Sequence, residues 1–227
     1  MLELIAGQVN KLQILIIILS ALIMYLLINF MSVTYFEKDK ITIKKSLFYS
    51  KVCFIISLFS AVAYIAGMFI QNGRINIYTA IKLYTIVTFM GFFTVTDLKE
   101  KKIPNRYLAI LLVLWLAITA FYIITDFSNT LQRLGVSLLG LIFCCLTFGL
   151  TYLISNKRIG GGDVKLALLM GLYLDSERVV GAVLYGSILM MIFSVIGLFA
   201  KKVDRKTEIP FCPFLYIGTL ISLFLYV

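Results

Sequence analysis

The chain has 227 residues, of which 61% are hydrophobic and 14% charged, with a mean hydropathy of +1.01; that composition cannot cover a water-soluble surface and places the chain in a membrane. Its apolar stretches are continuous runs, which excludes a disordered chain, a secreted disulfide scaffold and an outer-membrane barrel. The formal net charge of +10, from 21 Lys and Arg against 11 Asp and Glu, fits either nucleic-acid binding or membrane topology, and the distribution of the cations decides between them.

In chain order, residues 12–36 form an uncharged run of 25 residues with no small-residue cleavage site after it, which reads as a retained span and not as a removed signal peptide. The segment Glu37–Lys51 follows, too short to fold alone, with an alternation at Lys40-Ile41-Thr42-Ile43-Lys44 suited to lying along anionic headgroups. Further apolar intervals cover 52–73, 75–96, 107–125, 134–156, 179–200 and 209–227, so that seven intervals of 19 residues or more are long enough to cross. Lys82 falls inside the third of them, about 12 Å from its outer end and so within snorkelling reach of that surface. An eighth candidate, Gly160–Leu174, has 15 residues and would reach only about 22 Å as a straight helix.

Charge decides the status of that short segment. If all eight cross, the loops 37–51, 97–106, 157–165 and 201–208 share one side and carry 16 of the 21 basic residues, leaving Lys11, Arg74, Arg133 and Arg178 on the other side. The basic side is then cytoplasmic and both termini lie outside. Without the short crossing, the cluster Lys201, Lys202, Arg205 and Lys206 would be exported. The expectation is therefore an all-α, polytopic transmembrane bundle of about eight helices in the cell membrane. Its charge is explained by topology and the lipid bilayer, and nucleic acid is not expected as a partner.

Cys53, Cys144, Cys145 and Cys212 form no C-x-x-C pair and the chain has no histidine, so no metal site is expected. With no repeat, no low-complexity tract and only three prolines, residues 1–227 read as a single integral membrane domain. Residues 1–73 supply two N-terminal spans with a short cytoplasmic loop, and residues 74–227 hold the chemistry-bearing core.

Acidic groups beside apolar runs are costly unless they sit at an interface or serve a function. Asp97 ends the third interval in Thr96-Asp97-Leu98-Lys99-Glu100-Lys101-Lys102-Ile103-Pro104-Asn105, where Pro104 forbids simple continuation of a helix. Asp163 closes Ile159-Gly160-Gly161-Gly162-Asp163 and opens the short sixth segment. Both therefore start from the cytoplasmic face, which is the first requirement for two carboxylates to share a site. The glycines at 160, 161 and 162 let another backbone approach closely, and irregular backbone at this depth implies a wet, protein-lined recess. Lys99, Lys165, Lys157 and Arg158 read mainly as topology signals, although Lys165 also lies close enough in sequence to Asp163 to influence it.

These strings resemble the prepilin peptidases, the GxGD class of membrane aspartyl proteases that also includes preflagellin peptidases. The resemblance rests on Asp97 with Lys99 and Ile103-Pro104-Asn105, on Gly160 to Asp163 with Lys165, and on Ile209-Pro210-Phe211-Cys212-Pro213-Phe214, and it spans roughly residues 85–222. It implies that Asp97 and Asp163 are the catalytic pair, that Gly160, Gly161, Gly162, Lys165, Pro104 and Asn105 shape the site, and that the substrates are basic leader peptides of type IV prepilins or pseudopilins. No cofactor is implied for cleavage; S-adenosylmethionine would be needed only for the N-methylation that some relatives also perform. This chain departs in two ways: Glu37–Lys51 lacks the paired C-x-x-C insert of many bacterial relatives, and Cys212 stands where a glycine is usual.

Two carboxylates sharing one proton can hydrolyse a peptide without a metal, one drawing a proton from water and the other donating to the carbonyl oxygen. The helix ends suggest Asp163, at a helix N-terminus, as the resting anion and Asp97, at a helix C-terminus, as the neutral acid. The alternatives are a preflagellin-type peptidase with another client, distinguished by the client's leader, and an Asp-based transporter or relay. The transporter reading requires acidic groups near the midplane and internal repeats.

Overall fold

The computed structural model describes residues 11–36, 55–56, 58–60, 77–155, 160–199 and 209–225. Besides the short helical pieces at 55–56 and 58–60, six helices are described: α1 (Lys11–Phe36), α2 (Ile77–Glu100), α3 (Asn105–Thr125), α4 (Phe127–Ile154), α5 (Gly161–Phe199) and α6 (Cys212–Leu225). No strand occurs among the described residues. Four of the helices are long and apolar enough to cross a membrane: Tyr78–Glu100, Asn105–Thr125, Phe127–Ile154 and Gly161–Phe199. The fold is that of an all-helical membrane protein. The expected second span, 52–73, and the loops 37–51 and 200–208 lie almost wholly outside the described residues.

Helix α2 is the axis of the bundle, with 83% of its apolar window buried against 22% for α3, α4 and α5. Its buried face carries Leu83, Ile86, Val87, Met90, Phe92 and Phe93, packed with Met24 and Ile28 of α1 and with Leu215 and Leu220 of α6. The lower burial of α3 and α4 follows from their composition: outward side chains such as Ile110, Val113, Leu116, Leu139 and Ile142 are apolar and exposed, as a lipid-facing surface requires.

As a straight rod the 39 residues of α5 would reach about 58 Å, nearly twice the hydrocarbon core. The helix is instead interrupted at Asp175, whose backbone takes φ 65 and ψ 170, a conformation that strains any residue with a Cβ by roughly 1–3 kcal/mol. The chain reverses there. Asp163 before the break and Val183, Ser187 and Met190 after it all line one cavity, which a straight helix would not allow. The first half of α5 is thus the short sixth segment expected from sequence, and the second half is the seventh.

The reversal frees the last carbonyls of the first half, and neighbours satisfy them or brace the turn. The Trp115 indole N–H donates to the carbonyl of Leu172 at 3.1 Å, and the Tyr173 hydroxyl donates to the carbonyl of Leu111 at 2.7 Å. Glycines let the helices cross closely: a Cβ on Gly140 of α4 would lie 2.5 Å from the carbonyl oxygen of Gly171, so only glycine fits this crossing. Helix α6 runs beside the returning half of α5, where the Ser222 hydroxyl donates to the carbonyl of Arg178 at 2.7 Å and a Cβ on Gly186 would meet the carbonyl of Phe214 at 2.9 Å.

Lys82 does not snorkel. It is 1% exposed, and its ammonium donates to Asp175 Oδ1 and to Ser137 Oγ, each at 2.8 Å. The outward reading considered Lys82 on its own helix; its partners arrive from α4 and from the break in α5. Ser137 itself donates to Asp175 Oδ1 at 2.8 Å, closing the triangle, and the Tyr78 ring lies 5.1 Å from the ammonium.

Candidate active site

Asp97 lies in the last turn of α2 and is 5% exposed. The helix stops three residues later because Lys101 takes a left-handed φ of 52 while its N–H still bonds the carbonyl of Asp97 at 3.0 Å. The chain then extends to Pro104, which caps α3 with φ −73 and ψ 119 and offers its carbonyl to the N–H groups of Tyr107 and Leu108 at 3.1 and 3.4 Å. Proline suits this place, where its missing N–H and fixed φ do no harm.

Asp163 occupies the first turn of α5, which is nucleated when the N–H groups of Asp163 and Val164 bond the carbonyl of Gly160 at 3.0 and 3.4 Å. The three glycines differ in what they permit. A Cβ on Gly162 would lie 3.1 Å from the Cβ of Ile103, and one on Gly160 would lie 2.9 Å from Asp163 Oδ2, whereas a Cβ on Gly161 would meet nothing within 4 Å. The absent side chains at 160 and 162 let the start of α5 press against the α2–α3 connection and leave room for the carboxylate.

The third string forms the remaining wall. Phe211 precedes α6 and accepts the N–H groups of Phe214 and Leu215 at 3.1 and 3.2 Å, which leaves the N–H groups at the helix start pointing outward. That of Cys212 donates to Asp97 Oδ2 at 2.9 Å, and the N–H of Phe211 faces the same carboxylate. Asp97 therefore serves as the capping anion of a helix distant in sequence. The Cys212 side chain is fully buried, with Sγ 3.9 Å from the Thr94 hydroxyl, so a small apolar thiol fills this place.

Asp97 and Asp163 open onto one cavity of about 630 Å³ and lie within electrostatic reach of one another. Lys101 stands at its rim, and Ile209, Pro210 and Phe211 form one side. Thr147, Phe148 and Thr151 form another, presented where α4 widens into a π-helical turn at Cys145–Gly149; such turns re-aim side chains that a regular helix would carry elsewhere. The returning half of α5 supplies Val183, Ser187 and Met190. A carboxylate pair at the base of a mixed apolar and hydroxylated recess can bind an extended peptide and activate water beside it.

Of the residues singled out from sequence, the structure brings Asp97, Asp163 and Gly160 together on the cavity and uses Gly162 to hold its wall. Gly161 touches nothing that a side chain would disturb. Lys165 and Asn105 meet each other instead, the ammonium donating to Asn105 Oδ1 at 3.0 Å in an exposed position; they and Pro104 join the starts of α3 and α5 without lining the cavity. Sequence reasoning missed Lys101, the Cys212 N–H and the π-helical turn. Pro210 and Pro213 were a usable signal for the second, since prolines flanking a helix start mark a set of free N–H groups. Among the described residues no group of three or more His, Cys, Asp or Glu side chains is placed to hold a metal ion.

Comparison with known proteins adds to this geometry. Residues 84–195 match the family model described as the type IV leader peptidase family. Over these residues the resemblance to type IV prepilin peptidases is borne out. The matched stretch contains Asp97, Asp163, the π-helical turn and α5 as far as Val195. A relative named prepilin leader peptidase/N-methyltransferase, from Bacillus subtilis (strain 168), is 22% identical over 146 residues, covering 63% of this chain. The chain spans 56% of the length of that relative. No solved structure matches the chain.

Proposed function

We propose that the protein is an intramembrane aspartyl endopeptidase that cuts the basic leader of type IV prepilin-like proteins at the cytoplasmic face of the cell membrane. The observation that carries the reading is the convergence of Asp97 and Asp163 on one recess within the stretch that matches the leader peptidase family. The relative's name points to the same substrate class. Methyl transfer forms no part of the proposal.

In this reading the scissile peptide enters along the wall of Phe148, Phe211 and Met190, and a water sits between the carboxylates. The hydrogen bonding supports roles in the reverse of the order that helix ends alone suggested. Asp97 accepts a backbone N–H at the start of α6, an arrangement that favours negative charge there. Asp97 is then the base that draws a proton from water, and Asp163 carries the shared proton to the carbonyl oxygen. The tetrahedral intermediate collapses as that proton passes on to the leaving amine. The pair still titrates as a unit.

The proposed topology has eight crossings with both termini outside. The clustering of Lys101, Asp97 and Asp163 at one end, with Lys82, Arg178 and Asp175 at the other, supports this arrangement for the described helices. The test is cleavage of a prepilin-type substrate by the purified full chain. Cleavage directly after the basic leader supports the reading, whereas an intact substrate contradicts it.

A further inference from the structure

We infer that the buried Lys82 and Ser137 and the partly exposed Asp175 form a lock that sets the register of α2 against α5 and thereby holds Asp97 opposite Asp163. The inference rests on the catalytic reading of those two aspartates.

The residues are paired in space as they are in sequence. Lys82 precedes Asp97 by 15 residues on α2, and Asp175 follows Asp163 by 12 on α5, so each arm is about 18–22 Å of helix. The two segments therefore meet at two places, at the carboxylates that line the cavity and at the ion pair, where Lys82 Nζ lies 2.8 Å from Asp175 Oδ1. Ser137 fixes the pair to α4 through bonds to both partners. Arg178 Nη1 stands 3.9 Å from Asp175 Oδ2, so both oxygens of the carboxylate face cations.

Two features make this more than an incidental contact. The ammonium is wholly buried, and a buried charge with its partner removed is strongly unfavourable, so sliding α2 along α5 by one residue breaks the pair at high cost. The backbone of Asp175 also stands at φ 65 and ψ 170, where nearly all residues other than glycine are strained, and such outliers persist only where surrounding contacts over-determine them. The bonds to Lys82 and Ser137 supply those contacts. Lys82 and Asp175 are positioning residues: they act about 20 Å from the cavity, through the helices that carry the aspartates.

The experiment compares the full-length protein with the variant Lys82→Met/Asp175→Asn, which removes both charges of the pair together, leaves only the partly exposed Arg178 beside position 175, and puts at 175 a side chain of the same shape as the Asp it replaces. Spin labels are placed on Leu98→Cys, half exposed, and on Gly161→Cys, where a side chain meets nothing, after replacement of the native cysteines; the same labels are used with and without the pair. With the pair intact the label distance has a single narrow distribution. The neutral variant, though folded at the assay temperature, shows a broadened or split distribution, and its unlabelled form loses about 100-fold in kcat with KM within about threefold, as expected for reacting groups displaced by about 1 Å. Lys82→Arg with Asp175 intact keeps the ion pair and retains more kcat than the neutral variant. An unchanged distribution, or an unchanged kcat in a cleaving enzyme, overturns the lock. Should the wild type leave leader peptides intact, the functional reading fails while the distance distribution still decides the lock.

Discussion

The backbone N–H of Cys212 donates to Asp97 Oδ2 across 2.9 Å, so the carboxylate at the end of α2 is held under the start of α6, 115 residues further on in the sequence. Proline at position 212 removes this donor while its φ remains suited to the first residue of a helix. Cys212→Pro is expected to lower leader cleavage by about 10- to 100-fold, the worth of one hydrogen bond to a charged group. Cys212→Ala keeps the N–H and is expected to stay within about threefold of wild type. Equal losses in the two variants, measured as kcat/KM, would show that the thiol and not the N–H matters.

The glycines before Asp163 are predicted to rank in a definite order. Gly162→Ala places a methyl 3.1 Å from the Cβ of Ile103 and Gly160→Ala places one 2.9 Å from Asp163 Oδ2, whereas Gly161→Ala meets nothing within 4 Å. Overpacking of about 1–3 kcal/mol translates into losses of about 5- to 150-fold for the first two and almost none for the third. A cleavage assay on the three single variants checks the order, and a severe loss in Gly161→Ala would contradict the geometry.

Lys165 and Asn105 share an exposed hydrogen bond at 3.0 Å away from the cavity. Exposed bonds of this kind contribute about 1 kcal/mol or less. Lys165→Met and Asn105→Ala are therefore expected to change kcat/KM by no more than about threefold and to lower the melting temperature by a few degrees at most. Loss of catalysis in Lys165→Met, by contrast, would assign that cation a direct part in the reaction.

Ser187 lies on the returning half of α5 and lines the cavity beside Met190 and Val183. Ser187→Phe fills part of the recess without touching either carboxylate. The expected result is a rise in KM of about tenfold, equivalent to about 1.4 kcal/mol, with kcat changed much less. A fall in kcat at constant KM would mean that the substrate does not occupy this wall.

The parts of this molecule that were legible in its sequence share one property, a signal carried by local chemistry. Asp97 and Asp163 stand out because charges beside apolar runs are rare, and Gly160 to Gly162 because consecutive glycines permit close approach. The short segment Gly160–Leu174 was assigned from the balance of Lys and Arg between loops, and the reversal at Asp175 bears out where it ends. Lys82 was misread because its partner Asp175 lies 93 residues away, and no periodicity within α2 announces such a pairing. The π-helical turn at Cys145–Gly149 sits within an unbroken apolar run, where the same residues would fit a regular helix. The role of Cys212 was obscured because the donor is its backbone, which every residue except proline possesses.

Cleavage of a prepilin-type substrate by wild type, Asp97→Asn and Asp163→Asn, with mass analysis of the new N-terminus, tests the central claim most directly. The account predicts that wild type cuts after the basic leader and that both variants, inserted and folded as wild type, lose at least about 1,000-fold in kcat, since removing one member of a cooperating catalytic pair disables the whole. Near-wild-type cleavage by either variant would contradict the assignment of Asp97 and Asp163 as the catalytic pair.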